Sequence, residues 1–558
     1  MEKIFKKFGI LLVLLAFSCD LDGDLENPNE VGVAGADENL IMNEVQLSFS
    51  DFFNSAQRTV APLVRQNSMT GGYTYQTAIQ EQSVDFLWLT AYRRVLINAQ
   101  TLIPIAESKN LTTHVAVTKI LMAYTYITLV DIFGDVPQAA ALKGGEGDFN
   151  PTASTGAEVY AYAITLLTEA RTELAKTGAA AGSALARDIY YSGNRVRWNA
   201  LANTIELKAQ LNLSQIAAQA ATANARIDAL LAADLIDTEA ENFTYKYGTA
   251  TVPAGSRHPL YDQYYGPGPG EADGYINNGF QFELYKGKGV EDPRWRYYFY
   301  RQAGSIAQIN KVDPKALGCA VGAIPAHYAA GGYVFCIFDP GFYGRDHGDA
   351  SGTPPDSPVI TCAGSYPAGG RPDLNGTTGQ TALAYAKSTI RGDGANGAGI
   401  EPIFMSFYLD YYKAEILARR GDNAGAKTAL TNAIANSITQ VRNFSVGKGQ
   451  SLTAGLEPST SRYQTAVSDL YDAAAKKTDV IGREFWVASW GNAIEAYNSY
   501  RRTSAPKIMQ PTTSTNPGVW MRSVVYPAQY VNLNSSAVQK DVFVTNKVFW
   551  DTNPDNLN

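Results

Sequence analysis

The chain has 558 residues, is 45% hydrophobic and carries a net charge of −7. That length allows several domains or one large helical body, and the apolar content suffices for a real core. No run of Lys or Arg occurs, which argues against nucleic acid as a partner.

The N-terminus places Lys3, Lys6 and Lys7 before an uncharged stretch from Phe8 to Phe17. A membrane span needs about 20 apolar residues. The shorter run after a basic segment reads instead as a secretory signal, residues 1–18. Ser18-Cys19 follows, a small residue before a cysteine, as at a bacterial lipoprotein cleavage site. Ala16 and Phe17 depart from the usual residues there, and an ordinary signal with an incidental cysteine is the alternative. The expected chemistry is cleavage before Cys19, diacylglycerol on its sulfur and acylation of the new amine, each buried methylene contributing about 0.8 kcal/mol. Residues 19–40 then form a lipidated flexible tether. Its Asp20, Asp22, Asp24 and Glu26 resemble the surface-export tag of Bacteroidetes lipoproteins. Loss of residues 1–18 removes three Lys and one Glu, taking the net charge from −7 to −9.

Residues 41–235 have a helical pattern. Apolar positions three and four apart predict a helix in "NEVQLSFSDFFNSAQRTVAPLV". "TTHVAVTKILMAYTYITLVDIF" is apolar on most faces and predicts a buried helix ending at Gly134, with Pro137 beyond. No later stretch is read as long and apolar enough to span a bilayer. Thr155 and Glu158 have the spacing of a capping box opening the next helix. "RVRWNALANTIELKAQLNLSQIAAQA" predicts another, with Trp198, Leu201, Ile205 and Ala209 on one side. Trp88, Trp198, Trp486 and Trp490 lie on amphipathic patterns and read as core.

From about 241 to 400 Gly, Pro, Asp and aromatic residues dominate, a stretch too long for a simple loop. It reads as an insertion with short helices and strands, where function concentrates. Residues 401–443 return to a helix pair, "EPIFMSFYLDYYKAEILARR" and "NAGAKTALTNAIANSITQV", resembling one tetratricopeptide unit. Residues 480–500 read as one further helix, and 501–558 as an irregular tail. Apart from Cys19, the cysteines are Cys319, Cys336 and Cys362, among which one disulfide is plausible in an exported chain. No CxxC pair occurs and the four histidines are scattered, so no metal site is expected.

An ordered set of segments is similar to the SusD/RagB family of Bacteroidetes outer-membrane lipoproteins. It comprises Asp131-Ile-Phe-Gly-Asp-Val-Pro137, "DIYYSGNRVRWNALANTIELKAQ" around Trp198 and Asn203, "YGRDHGDASGTPPD" and "YPAGG". It continues with "PIFMSFYLDYYKAE" around Glu415, "WVASWGNAIEAYNSYRRTSAP" with Arg501-Arg502 and Pro506, "RSVVYPAQYVNLN" and "VFWD". The resemblance spans nearly the whole mature chain. It implies one mainly α domain over 41–558, a tetratricopeptide-like helical scaffold (41–240 and 401–500) packed against a loop-rich, ligand-facing region (241–400). It implies lipid anchoring at the cell surface, a SusC-like TonB-dependent barrel transporter as partner, an oligosaccharide as ligand, no catalysis and no cofactor. Peptides are the ligands of RagB-type relatives. A surface glycoside hydrolase, or a lid that leaves binding to the barrel, are further alternatives.

Asp346-His347-Gly348-Asp349 invites a catalytic reading, but no nucleophile or partner acid stands nearby, and a structural loop is expected. Asp346, Asp349 and Asp356 would permit structural calcium, although without EF-hand spacing. A sugar offers a C–H face to an aromatic ring and hydroxyls to amides, carboxylates and guanidinium groups. The ligand-binding candidates are therefore aromatics of the Gly-rich segments: Tyr73 and Tyr75 in "TGGYTYQ", Tyr264 and Tyr265 in "DQYYGPGPG", and Trp295 and Tyr297 in "DPRWRYYFY". Packing and transporter contact are their competing roles.

Overall fold

The computed structural model describes residues 37–69, 74–253, 255–265, 275–301, 342, 344–349, 361–374, 394–514 and 516–557. The signal segment, Cys19, Cys319 and Cys336 lie outside the described residues; Cys362 is buried on a strand. The described part is mainly helical.

Helix α1 (Glu38–Val60) is capped by Asp37, whose carboxylate accepts from the Asn39 N–H at 2.8 Å. It begins inside the segment read as tether and stops just ahead of Pro62. Helix α2 (Asp85–Thr90) continues through a π-helical turn (Ala91–Leu96) into α3 (Ile97–Ser108). Helix α4 (Thr112–Phe133) is buried at every residue but Lys119. Length and composition would let α4 cross a membrane, contrary to the sequence reading, but here it is enclosed by α1, α3, α5 (Gly156–Ala175) and α6 (Arg195–Leu213). The capping box forms as expected: Glu158 N–H donates to Thr155 Oγ1 at 3.3 Å, and Thr155 N–H donates to Glu158 Oε2 at 2.8 Å. Helix α6 buries nearly every residue from Trp198 to Asn212, not one face alone, because it lies between α5, α4 and α7 (Ala220–Leu231).

The loop-rich region is pinched at its base by two strands. β1 (Phe243–Lys246) pairs antiparallel with the strand Ile400–Phe404, Phe243 opposite Phe404 and Lys246 opposite Ile400. The sequence pattern puts most of Ile400–Phe404 at the start of a helix. Every residue of that strand is buried, and the register against β1 wins over helical periodicity. Between them lie α8 (Pro259–Tyr265), α9 (Asn278–Tyr285), and β2 (Phe299–Arg301) paired with β3 (Thr361–Ala363); Ile400–Phe404 is β4.

After β4 come α10 (Ser406–Arg419), α11 (Asn423–Gly447), α12 (Thr460–Ala473), α13 (Lys477–Ala488) and α14 (Ala493–Thr503). Each packs on its sequence neighbour, and further contacts of α13 with α10 and α11 close the layer. The expected single helix over 480–500 is two. Gly491 breaks it with φ +92°, and a Cβ there would meet Pro367 at 2.7 Å. Asn492 then caps α14 and donates to the carbonyls of Pro402 and Ile403 at 3.1 and 3.0 Å. The tail is irregular apart from α15 (Ala528–Leu533), yet it buries Trp520 and Trp550 against the scaffold.

Asp131, near the end of α4, has no exposure and no cation within ion-pair distance among the described residues. Its carboxylate accepts from Tyr160 of α5, Asn498 of α14 at 2.7 Å and the Trp550 indole of the tail at 2.9 Å. Arg501 donates to its backbone carbonyl at 2.7 Å. Three donors from three elements compensate the desolvation of one charge. Asp131→Ala leaves those donors unpaired, and a loss of roughly 3–5 kcal/mol is expected in urea denaturation. Asp131→Asn retains one acceptor oxygen and is expected to lose about half as much.

Candidate functional site

The five described aromatic candidates are all buried, at 2% exposure or less. Tyr75 bonds through its hydroxyl to Arg65, and its ring lies 5.8 Å from that of His347. Tyr265 stacks on Tyr261 at 4.6 Å with the rings nearly parallel, and donates to the Ala363 carbonyl at 2.8 Å. Tyr264 lies on the same helix, α8. Trp295 is enclosed by Tyr285 and Phe342, with the guanidinium groups of Arg296 and Arg301 over its ring at 4.4 and 4.8 Å. Burial pushes the Tyr297 phenol up to about 12. As placed among the described residues, each of these five rings is enclosed. Tyr73 lies outside the described residues. The five enclosed rings contribute packing: a Gly-rich region without regular layers needs large flat side chains to fill its interior.

The segments that carry Tyr75 and Tyr264–Tyr265 do border an opening. A groove of about 490 Å³ runs between α1, the turn after it, the stretch from Ala78 to Phe86, and residues 247–263. Asn54 and Arg58 contribute from α1, Asn67 from the turn, Ile79 and Phe86 from the next stretch, and Tyr247, Pro259 and Gln263 from the loop-rich region. Phe86 is 61% exposed, a large apolar ring left in water at the edge of the groove. Helix α2 explains it: the helix buries Leu87 and Trp88, which turns the neighbouring Phe86 outward. Arg58 is exposed and, among the described residues, has no carboxylate within ion-pair distance. Asp51 at the same groove is held by Arg94 at 2.9 Å.

Under the groove floor lies Glu401 of β4, fully buried. Asn54 Nδ2 donates to its Oε2 at 2.6 Å, and the Tyr247 hydroxyl donates to the same oxygen at 3.5 Å. Burial pushes the carboxyl up to about 8, against the opposing pull of Asn54, Arg58 and Tyr247. His258 is buried with Tyr247 against its ring at 4.9 Å, and burial together with Arg58 pushes it down to about 3. Burial thus favours the neutral forms of both groups under the floor, and among the described residues of the rim Arg58 is the one open cation.

Nothing in the sequence pattern marks this groove. Asn54, Arg58 and Phe86 look like ordinary helix positions, and Glu401 gives no local signal. The Asp346-His347 loop packs inward: Asn278 Nδ2 donates to Asp346 Oδ1 at 2.9 Å, and Met69 N–H donates to His347 Nδ1 at 3.4 Å. Asp356 lies outside the described residues. A second pair of clefts is lined by Arg419, Lys476 and Arg502. Their cations are already engaged: Arg419 and Arg502 share Glu415, and Lys476 Nζ donates to the Thr503 carbonyl at 2.9 Å.

Comparison with known proteins gives the family. No curated protein sequence matches the chain significantly. A solved chitin-binding SusD homologue from Flavobacterium johnsoniae is 17% identical, with TM-score 0.63 over 94% of this chain and 100% of that one. A SusD/RagB family protein from Bacteroides thetaiotaomicron is 16% identical, with TM-score 0.62 over 93% and 100%. A SusD homologue from Bacteroides uniformis is 17% identical, with TM-score 0.60 over 92% and 99%. The SusD-like family, described as starch-binding and associating with the outer membrane, matches residues 28–313, just over half of the sequence. With the fold and the sequence family in agreement, this chain belongs to the SusD-like family.

Proposed function

We propose that the chain is a cell-surface lipoprotein, anchored through Cys19, that binds an oligosaccharide or polysaccharide in the groove between Asn54, Arg58, Phe86 and Tyr247. It then passes the glycan to a SusC-like TonB-dependent outer-membrane transporter. One observation carries the binding site: an exposed ring, Phe86, stands in an open groove beside amide and guanidinium groups fixed on a packed scaffold. Stacking of a sugar's C–H face on the ring, with hydroxyls bonded to Asn54, Asn67, Gln263 and Arg58, is the chemistry that such a groove supports. The family description supports a glycan as the ligand class, and the chitin-binding relative makes chitin oligosaccharides the first to try.

The groove is poorly suited to glycoside hydrolysis. That reaction uses two carboxyl groups on either side of the scissile bond. Among the described residues that line the groove, Asp51 is the one carboxylate, and it is tied to Arg94. Capture without catalysis fits this arrangement, with enclosure between lid and barrel retaining a ligand of modest affinity.

Affinity electrophoresis of residues 20–558 across a polysaccharide panel and a peptide digest tests the ligand class. Retardation by one glycan is expected, and Phe86→Ala should weaken it about tenfold, the loss of one stacking contact. Retardation by peptides alone would favour a peptide-binding lid, and release of sugar product on long incubation would favour a hydrolase. The same substitution should leave stability within about 0.5 kcal/mol, because Phe86 is exposed, whereas Tyr265→Ala should cost about 3–5 kcal/mol in denaturant unfolding. Cys19→Ala should move the protein from the membrane fraction to a soluble one; unchanged membrane association would contradict the anchor.

A further inference from the structure

Glu401 is enclosed and lines no part of the groove, yet it is bonded to a residue that does. Asn54 spends its Nδ2 on Glu401 at 2.6 Å. Its Oδ1 has no hydrogen-bond partner among the described residues and is not among the fully buried unpartnered atoms. The amide therefore has a defined sense, with donor inward and acceptor toward the groove. An amide can be turned over at little steric cost, so the partner that consumes one end decides what the other end presents. We propose that Glu401 is a positioning residue that fixes Asn54 with its oxygen toward the groove, so that the site selects ligands by their hydroxyl donors. This rests on the groove being the glycan site and adds what sets its polarity.

The surroundings of Glu401 make the arrangement sensitive to charge. From α1 it faces Asn54 and, within electrostatic reach, Arg58. From β1 it faces Tyr245, its cross-strand neighbour, and just beyond the strand Tyr247, which also feels Asp51. Tyr190 and Tyr366 lie within electrostatic reach from two other segments, their phenols held neutral by burial. His258, under the same floor, is neutral as well. Among the described residues Arg58 is then the one cation facing Glu401, and it also lines the groove. Glu401 Oε1 is buried without a hydrogen-bond partner among the described residues. Ionisation would put a charge on an unsolvated site whose nearest source of compensation is Arg58, drawing that side chain from the groove.

The test measures binding of the best glycan from the panel at about pH 6.5 and about pH 9, either side of the carboxyl's titration. In the unsubstituted protein affinity should fall about fivefold or more between the two, as Glu401 ionises. Glu401→Gln keeps an acceptor for Asn54 and cannot ionise, so it should retain binding and remove the pH step. Glu401→Leu removes the acceptor and should weaken binding about tenfold at both pH values, the loss of one oriented hydrogen bond. Equal weakening in Glu401→Leu and Glu401→Gln, or the same pH profile in Glu401→Gln and the unsubstituted protein, would overturn the proposal. Should no glycan bind at all, the groove assignment fails separately. The positioning claim is then decided in the free protein by the ¹⁵N side-chain amide resonance of Asn54. That resonance should shift as the pH passes through about 8 and stay fixed in Glu401→Gln; no shift in the unsubstituted protein would overturn it.

Discussion

The carboxylate of Asp131 is the constraint on which the scaffold turns. A buried carboxylate with no cation within ion-pair distance among the described residues keeps its place only where enough donors are aimed at it. Here they come from α5, α14 and the C-terminal tail, elements far apart in sequence. Arg501 seals the same place from the other side: it donates to the carbonyls of Asp131 and Arg522 and lies between the rings of Tyr497 and Trp550 at 3.9 and 4.6 Å. One end of α4 thereby fixes α14 and the tail, and α4 and α14 both pack on α1. Since α1 carries Asn54 and Arg58, these polar groups of the groove stand on a helix braced from several sides.

A second set of buried charges joins the loop-rich region to this scaffold. Glu283 takes Arg483 and Lys288, and Glu484 takes Lys288 and Arg294, all with almost no exposure at the carboxylates. Such networks contribute little net stability over apolar packing, but they penalise every wrong pairing heavily. In a region short of regular structure, that specificity has a use. It fixes where the irregular chain sits on α13, and the β1–β4 pair fixes where it leaves and returns. The groove lies at that junction, between α1 on one side and Tyr247, Gly255, Pro259 and Gln263 of the loop-rich region on the other.

Much of the scaffold is legible in the sequence, for local reasons. Thr155 and Glu158 announce a helix start, Gly134 a helix end, and the unbroken apolar run of 112–133 a helix without a solvent face. The misses are non-local. Ile400–Phe404 becomes a strand because β1, more than 150 residues earlier, supplies its partner. Gly491 breaks a helix by its positive φ, and Pro367, from the loop-rich region, leaves no room there for any residue with a Cβ. The burial of the aromatic candidates is non-local in the same way. Aromatics on Gly-rich segments suggest exposed rings, whereas Tyr75, Tyr264, Tyr265, Trp295 and Tyr297 are what fills the interior between those segments. The exposed ring, Phe86, sits on a helix whose pattern gives no hint that one face meets a groove. Asn54 and Glu401 are 347 positions apart, and nothing in either neighbourhood marks the pair.

A crystal structure with the glycan that binds in solution would test the central claim most directly. A sugar ring against Phe86, a hydroxyl bonded to Asn54 Oδ1, and the rings of Tyr75, Tyr265 and Trp295 still enclosed are expected. A glycan seated elsewhere, with the groove of Asn54, Arg58 and Tyr247 empty, would contradict it.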